Sequence, residues 1–227
     1  MPVPREIFRS LDEFQNVNWR LVQRPEIVRW KSRGDQVQIA LLLGTVVAEG
    51  FIAMRAEDGG EVRDVGNKVL SLARALGVEH TMLRRSRSIM DCTDRGEWAA
   101  ARKEWDNLLS DLEQRLIAIE SEPLLRLVSL SGWLRGTEAL CALVLQEYSP
   151  EHVRLLRQTA MLDHLEKQLL DLRGKRRNHS MVVKMLDGLR KIRSLIEKDS
   201  VKLSEPTIKE IGRTCRDLVA LSSSRAA

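Results

Sequence analysis

Apolar residues recur at helical spacing along almost the whole chain, and in two segments they become nearly continuous. The first, residues 39–54, is an apolar run of sixteen residues that contains a single charge, Glu49. The second, residues 124–148, is mostly apolar and carries Arg135 and Glu138 in its middle. Apolar residues on every side of a helix are typical of a helix that is surrounded by others. The pattern therefore predicts two central helices inside a helical core.

Glycine, proline and candidate N-cap residues divide the rest of the chain into amphipathic segments with short connections. We predict about eight or nine helices, mostly antiparallel hairpins around the two central ones. The predicted segments are residues 5–21, a short helix after Pro25, and residues 35–57, 62–76, 79–95, 97–120, 124–148, 151–172, 181–198 and 206–221. Aromatic residues make up only 4% of the chain, which also disfavours sheets.

The expected fold is therefore an all-α, multi-helix array. Because no long linker of low complexity interrupts the pattern, we predict a single domain over residues 1–227. Within it, residues 1–33 are expected to pack across the bundle, and residues 173–227 to form basic C-terminal helices.

Small residues spaced four apart occur in both central segments, as Gly44 and Ala48 in the first and Gly132 and Gly136 in the second. Residues four apart share a helix face, so such pairs let two helix backbones approach closely. The same spacing marks helix dimers in membranes. The first apolar run is, however, short for a bilayer and has charged flanks. We therefore predict a core helix, and a close crossing of the two central helices.

Glu49 requires a partner, because an unpaired carboxylate in an apolar interior is costly. Arg135 and Glu138 share one face of the other central helix. We hypothesise a buried ion pair between Glu49 and Arg135, with Glu138 holding the guanidinium. With Thr45 and Trp133 these residues form a candidate chamber for the polar head group of a ligand. In the alternative interpretation, the polar residues of each central helix form a narrow hydrated strip along its surface. Arg135 and Glu138 then pair with one another on their own helix.

Charge distribution adds one further candidate site. The chain has 37 basic and 32 acidic residues, a formal net charge of +5, but residues 173–198 alone hold nine basic and two acidic residues. Lys175, Arg176 and Arg177 are candidate contacts for nucleic acid or another anion, because clustered cations bind polyanions. The sequence shows no helix-turn-helix or RNA-binding module, so sequence-specific recognition is not predicted.

No motif fixes a reaction, a metal or a cofactor. Cys92, Cys141 and Cys215 are far apart and are predicted to be reduced thiols, and the four histidines lack ligand-type partners at helical spacing. We therefore predict neither metal nor cofactor. The N-terminus lacks the features of a secretory signal, which favours the cytoplasm, with an exported protein that has lost its signal as the open alternative.

These observations favour a non-enzymatic helical adaptor that binds another protein or a second copy of itself. The first alternative is a protein that binds or senses a small ligand in the polar chamber. Non-specific contact with nucleic acid through the basic C-terminal region is a lesser alternative. An enzyme that uses Glu49 as an acid or base would require that carboxylate to be reachable from solvent.

Overall fold

A computed structural model describes residues 5–15, 17–31, 35–198 and 203–223. Within these ranges the protein is all-α, with 81% of residues in helices and no strand, which confirms the predicted fold class. The α-helices are α1 (Arg5–Asp12), α2 (Gln36–Arg55), α3 (Gly59–Ala75), α4 (Leu83–Asp94), α5 (Trp98–Ala118), α6 (Glu122–Gln146), α7 (Pro150–Arg154), α8 (Thr159–Leu170), α9 (Gly174–Arg177), α10 (Ser180–Lys198) and α11 (Glu205–Leu221). Short 3-10 helices span Trp19–Val22, Pro25–Arg29 and Glu79–Thr81.

The two central helices, α2 and α6, pack against each other as predicted. Gly44 of α2 lies directly on the backbone of α6, where a Cβ atom would stand 2.0 Å from the carbonyl oxygen of Val128 and 2.3 Å from Ser131 Oγ. No side chain fits into that space. Glu49, one and a half turns further along α2, meets Arg135 of α6. Gly44 thus contacts residues 128 and 131, and the later residue Glu49 contacts the later residue Arg135. Because residue numbers increase in the same sense along both helices, α2 and α6 run in the same direction.

Gly136, one of the two small residues of α6, has a different role from the one expected. A Cβ atom at Gly136 would stand 2.7 Å from Cγ1 of Ile7, so this glycine makes room for α1 rather than for α2. Gly44 therefore makes room for the close approach of α2 to α6. Gly136 serves the packing of the N-terminal helix across the same bundle.

Two predicted helices are shorter in the structure, and in both cases a tertiary contact of one side chain accompanies the break. The predicted helix 5–21 ends at Asp12, after which Phe14 is fully buried with its ring 4.4 Å from that of His152. The predicted helix 151–172 is divided into α7 and α8. Between them, the Gln158 side chain bonds to the Leu155 carbonyl and accepts from the Trp133 indole. Tertiary contacts therefore end these helices where the apolar spacing continues.

Other helices differ from the prediction only at their ends. A 3-10 turn precedes α4, and the short helix α9 lies inside the predicted basic connection. Four tight connections share one hydrogen-bond pattern, in which an amide bonds to a carbonyl five residues earlier, as in a Schellman motif. These bonds are Asp58 to Ala53, Val78 to Ala73, Glu97 to Cys92 and Ser121 to Leu116. Glu57, Gly77, Gly96 and Glu120 supply the residue of positive φ that each turn requires.

The chain between α1 and α2 lies over the central helices. Both of its 3-10 turns contact α2. The first, Trp19–Val22, also contacts α6, and the second, Pro25–Arg29, also contacts α3. Arg55 at the end of α2 holds this part of the chain by donating to the Phe14 carbonyl at 3.0 Å and by lying over the Trp19 ring. Residues 22–24 join the two turns and run past the charged part of α2 and α6. This placement brings Arg24 to the site described below.

Of the helices the structure describes, α2 alone is long and apolar enough to cross a membrane by length and composition. In the fold, 94% of its apolar window is buried by other parts of the protein. It therefore has the surroundings of the predicted core helix.

Candidate functional site

Glu49 and Arg135 form an ion pair in the interior, between α2 and α6. Arg135 Nε donates to Glu49 Oε2 at 2.8 Å, and Nη2 of the same guanidinium is also 2.8 Å from this oxygen. Their side chains are 0% and 1% exposed. The second carboxylate oxygen, Oε1, accepts from the backbone amide of Arg24 at 2.6 Å, and Arg135 Nη2 donates to the carbonyl of Val22. The hypothesised pair is therefore present, and backbone groups of the 22–24 segment complete it.

Glu138, one turn after Arg135, is the point at which three arginines meet. Its Oε1 accepts from Arg216 Nε at 2.9 Å, and both of its oxygens lie 3.3 Å from Arg24 Nη1. Arg135 Nη1 is 3.7 Å from Glu138 Oε2. The three guanidinium groups come from the 22–24 segment, from α6 and from α11. A single carboxylate, 5% exposed, thus links three parts of the chain that are remote in sequence.

A pocket of about 260 Å³ lies beside this network, between the 22–24 segment, α6 and α11. Its polar wall consists of Gln23, Arg24, Glu26, Arg135, Glu138 and Arg216, and its apolar wall of Leu21, Val22, Ala139 and Ala142. Arg216 stands at the mouth with a side chain 63% exposed, whereas Arg135 is at the bottom. In the described part of the chain, Arg216 bonds only through Nε, so its Nη atoms remain available to a ligand.

The charges around the pocket stabilise one another. Arg24 is half-buried, and burial by itself lowers the pKa of its guanidinium. The negative charges of Glu138 and Glu26 outweigh this effect and raise that pKa. Partial burial raises the pKa of Glu26, but its hydrogen bond with Arg24 and the nearby positive charges lower it overall. Both groups are therefore held in their charged forms at neutral pH.

Thr45 and Trp133, two of the predicted ligand-binding residues, do not line this pocket. The Thr45 hydroxyl is fully buried and donates to the Leu41 carbonyl of its own helix. The Trp133 indole donates to Gln158 at 2.7 Å. Of the five candidates, the structure brings together Glu49, Arg135 and Glu138.

The basic residues Lys175, Arg176 and Arg177 lie on α9, which has no buried residue. Arg176 donates to the Gln36 side chain at 3.2 Å, and Arg177 donates to the Leu169 carbonyl at 3.1 Å. None of the three lines the pocket at Glu138. Their contact with an anion stays a prediction.

Arg24 and Arg216 were not predicted from the sequence. Neither belongs to a motif, and each lies far along the chain from Glu138. One signal was present, since the two apolar helices contain two buried carboxylates, Glu49 and Glu138, but one buried arginine. Charge balance in an apolar interior calls for another cation. It does not say which one.

Among the side chains that the structure describes, no group of three or more His, Cys, Asp and Glu is arranged to hold a metal ion. Comparison of this chain with protein-family models, with curated proteins and with solved structures gives no match.

Proposed function

We propose that the protein binds a small ligand through an anionic group in the pocket between the 22–24 segment, α6 and α11. One observation carries the proposal, namely that the guanidinium groups of Arg24, Arg135 and Arg216 converge on the single carboxylate of Glu138 at this pocket. Helical bundles build ligand sites in this way, from facing side chains on separate helices.

The donor groups favour a carboxylate or a phosphate. A guanidinium presents five N–H donors in a planar fork that matches two oxygens of such a group. Glu138 accepts one hydrogen bond from Arg216, which leaves the Nη donors of Arg216 at the mouth of the pocket. A ligand oxygen can take these donors while Glu138 keeps its own bonds. Binding therefore adds an acceptor where donors are in excess.

The site is also organised before the ligand arrives. Glu49 and the Val22 carbonyl fix the guanidinium of Arg135 from behind, and the Arg24 backbone amide fixes Glu49. Side chains that are already held lose little conformational freedom on binding. The buried ion pair thus holds the Arg135 guanidinium at the bottom of the pocket before a ligand binds.

The proposal is tested by titrating the protein with acetate and with inorganic phosphate at low salt, followed by NMR and calorimetry. We expect saturable binding of at least one of the two, with shifts at Arg24 and in α11. Arg216→Gln should weaken that binding at least about tenfold, since hydrogen bonds to charged groups contribute about 1.5–3 kcal/mol.

Arg190→Gln is the matched control. Arg190 is also half-exposed and also donates through Nε to a glutamate, Glu166, at 2.9 Å, but it lies on α10 away from the pocket. The Arg190→Gln variant should bind acetate and phosphate as tightly as the wild type does. An equal loss in the two variants, or no saturable binding of either anion, contradicts the proposal. Native mass spectrometry of protein purified from its own host adds a direct search for a copurified small molecule.

The adaptor function expected from the sequence stays a prediction. The large apolar side chains exposed on the described surface are Leu21, Leu83, Ile119, Leu170 and Val183. Each of them belongs to a different element or connection. No single helix of the described surface therefore presents two of these side chains.

A further inference from the structure

A second cavity continues from the pocket along the outer side of α6 and α11. It has a volume of about 310 Å³, and Glu138, Ala142 and Arg216 line both cavities. The two cavities therefore border each other at the Glu138–Arg216 ion pair. From there the second cavity, which we call the α6–α11 groove, extends toward the end of α6 at Leu145.

The floor of the α6–α11 groove is apolar. Cys141, Leu145 and Ile208 lie along it, and Gly212 lets α11 approach closely, since a Cβ atom there would stand 3.2 Å from Cys141 Cβ. Burial raises the pKa of the Cys141 thiol, with a smaller contribution from the charge of Glu138, so this floor is uncharged. Ala142 and Leu145 are only half-buried. The groove thus presents apolar surface that a ligand can cover.

The rim of the groove is basic. Lys209, Arg213 and Arg216 follow one another on α11 at helical spacing and all line it. Lys209 and Arg213 have exposed side chains whose nearest carboxylates are 3.5 and 3.9 Å away, distances at which surface pairs contribute little. An apolar floor with a positively charged rim is complementary to an anionic amphiphile.

We propose that the ligand of this site is a single-chain carboxylate amphiphile of the fatty-acid type, an inference that rests on the proposed function. Its carboxylate binds at Arg216 and Arg24, and its acyl chain lies along the α6–α11 groove between Ala142 and Leu145. An extended peptide fits less well, because its amide and carbonyl groups need hydrogen-bond partners. The walls of the groove are two helices whose backbone groups already bond to one another, whereas an acyl chain requires no partner.

Chain length provides the test. Binding of acetate, octanoate and dodecanoate, the last kept below its critical micelle concentration, is measured by calorimetry on the full chain. Each methylene group that becomes buried strengthens binding by about fourfold. We expect dodecanoate to bind at least about a hundredfold more tightly than acetate. Dodecyltrimethylammonium, with the same chain and the opposite charge, should bind far more weakly.

Leu145→Glu places a negative charge in the groove without touching the pocket at Glu138. It should leave acetate binding unchanged and remove most of the gain from the longer chain. The control is Leu195→Glu, at another half-buried leucine packed on the core, on α10. Its binding of both carboxylates should match the wild type. The chain-length series on the wild type tests the inference even if Leu145→Glu does not fold.

The outcomes separate the two proposals. Acetate binding that depends on Arg216, with dodecanoate no tighter than acetate, retains the anion pocket and overturns the amphiphile. Equal binding of dodecanoate and dodecyltrimethylammonium also overturns the amphiphile, because the charge of the head group then has no effect. Dodecanoate binding that Arg216→Gln leaves unchanged overturns both proposals.

Discussion

α2 and α6 contact each other in two different ways within a few residues. At Gly44 the contact is steric, because the α6 backbone occupies the space that a side chain of α2 would fill. At Glu49 the contact is electrostatic, because a fully buried carboxylate meets a fully buried guanidinium. The first contact requires the absence of a side chain, and the second requires two particular ones.

The two contacts depend on different amounts of the surrounding protein. The packing at Gly44 involves the two helices alone, with Val128 and Ser131 on the other side. The pair of Glu49 and Arg135 also needs a backbone amide and a backbone carbonyl of the 22–24 segment. A buried charge must satisfy all of its hydrogen-bonding atoms, so it recruits groups from outside the helix pair. This recruitment creates the pocket wall.

Of the substitutions that test the two contacts, replacement of Gly44 should lower the free energy of unfolding most. Gly44→Val places a side chain into the Val128 backbone, which cannot rotate away, and we expect loss of cooperative folding or a destabilisation of about 3 kcal/mol or more. Urea unfolding of the full chain measures it. Gly66→Ala is the control, because that buried helical glycine has no atom closer than 3.5 Å to a built Cβ. It should be neutral or stabilising, and a stable Gly44→Val protein would contradict the steric contact.

Disruption of the ion pair should be the next largest effect. Arg135→Met leaves Glu49 buried without its cation, and Glu49→Gln leaves Arg135 with only the more distant carboxylate of Glu138, 3.7 Å away. Each is expected to lower the free energy of unfolding by about 3–5 kcal/mol, as for other buried pairs that lose one partner.

A double-mutant cycle in urea sharpens that result. The combined Glu49→Gln, Arg135→Met variant should be less destabilised than the sum of the single variants, because it leaves no unpaired charge. If both single variants unfold at the wild-type urea concentration, the pair contributes nothing and the electrostatic contact is refuted.

The smallest effect concerns Glu61 in the first turn of α3, a carboxylate with an unpartnered buried oxygen, Oε1. Burial, and then the nearby carboxylates, raise its pKa from 4.5 to about 7. The carboxylates are those of Glu49, Asp58 and Asp64. Between pH 4.5 and 7 the folded protein therefore holds a proton that the unfolded chain has released. Stability contributed by this group falls as the pH rises through that window.

Glu61→Gln should remove this pH dependence. Because Glu61 is only partly buried and solvent screens its charge, we expect the midpoint of thermal unfolding to rise by about 2–4 °C at pH 8 and to stay near the wild-type value at pH 4. Thermal scans across pH 4–8 measure it, with Glu113→Gln on α5 as the control for loss of one carboxylate. An unchanged pH profile would show that Glu61 titrates normally.

Much of the fold was predictable because it depends on local spacing. The two apolar segments predicted α2 and α6, and Glu49 and Arg135 were identifiable as charged residues that needed partners. The ends of α1 and α7 were not predictable, because tertiary contacts of Phe14 and Gln158 interrupt an apolar spacing that continues past them. Gly136 shows the same limit, since the spacing marked a close contact and left open which helix makes it.

The order of residues along the chain was enough to predict that the protein is helical, that two helices form its centre and that buried charges on them require partners. These properties follow from the periodicity of side chains along one segment and from the cost of burying a charge. The packing of distant segments brings Arg24 and Arg216 to Glu138 and leaves a pocket beside it, and the sequence did not predict this. Which cation meets a carboxylate depends on how distant segments pack, and no local spacing encodes that choice.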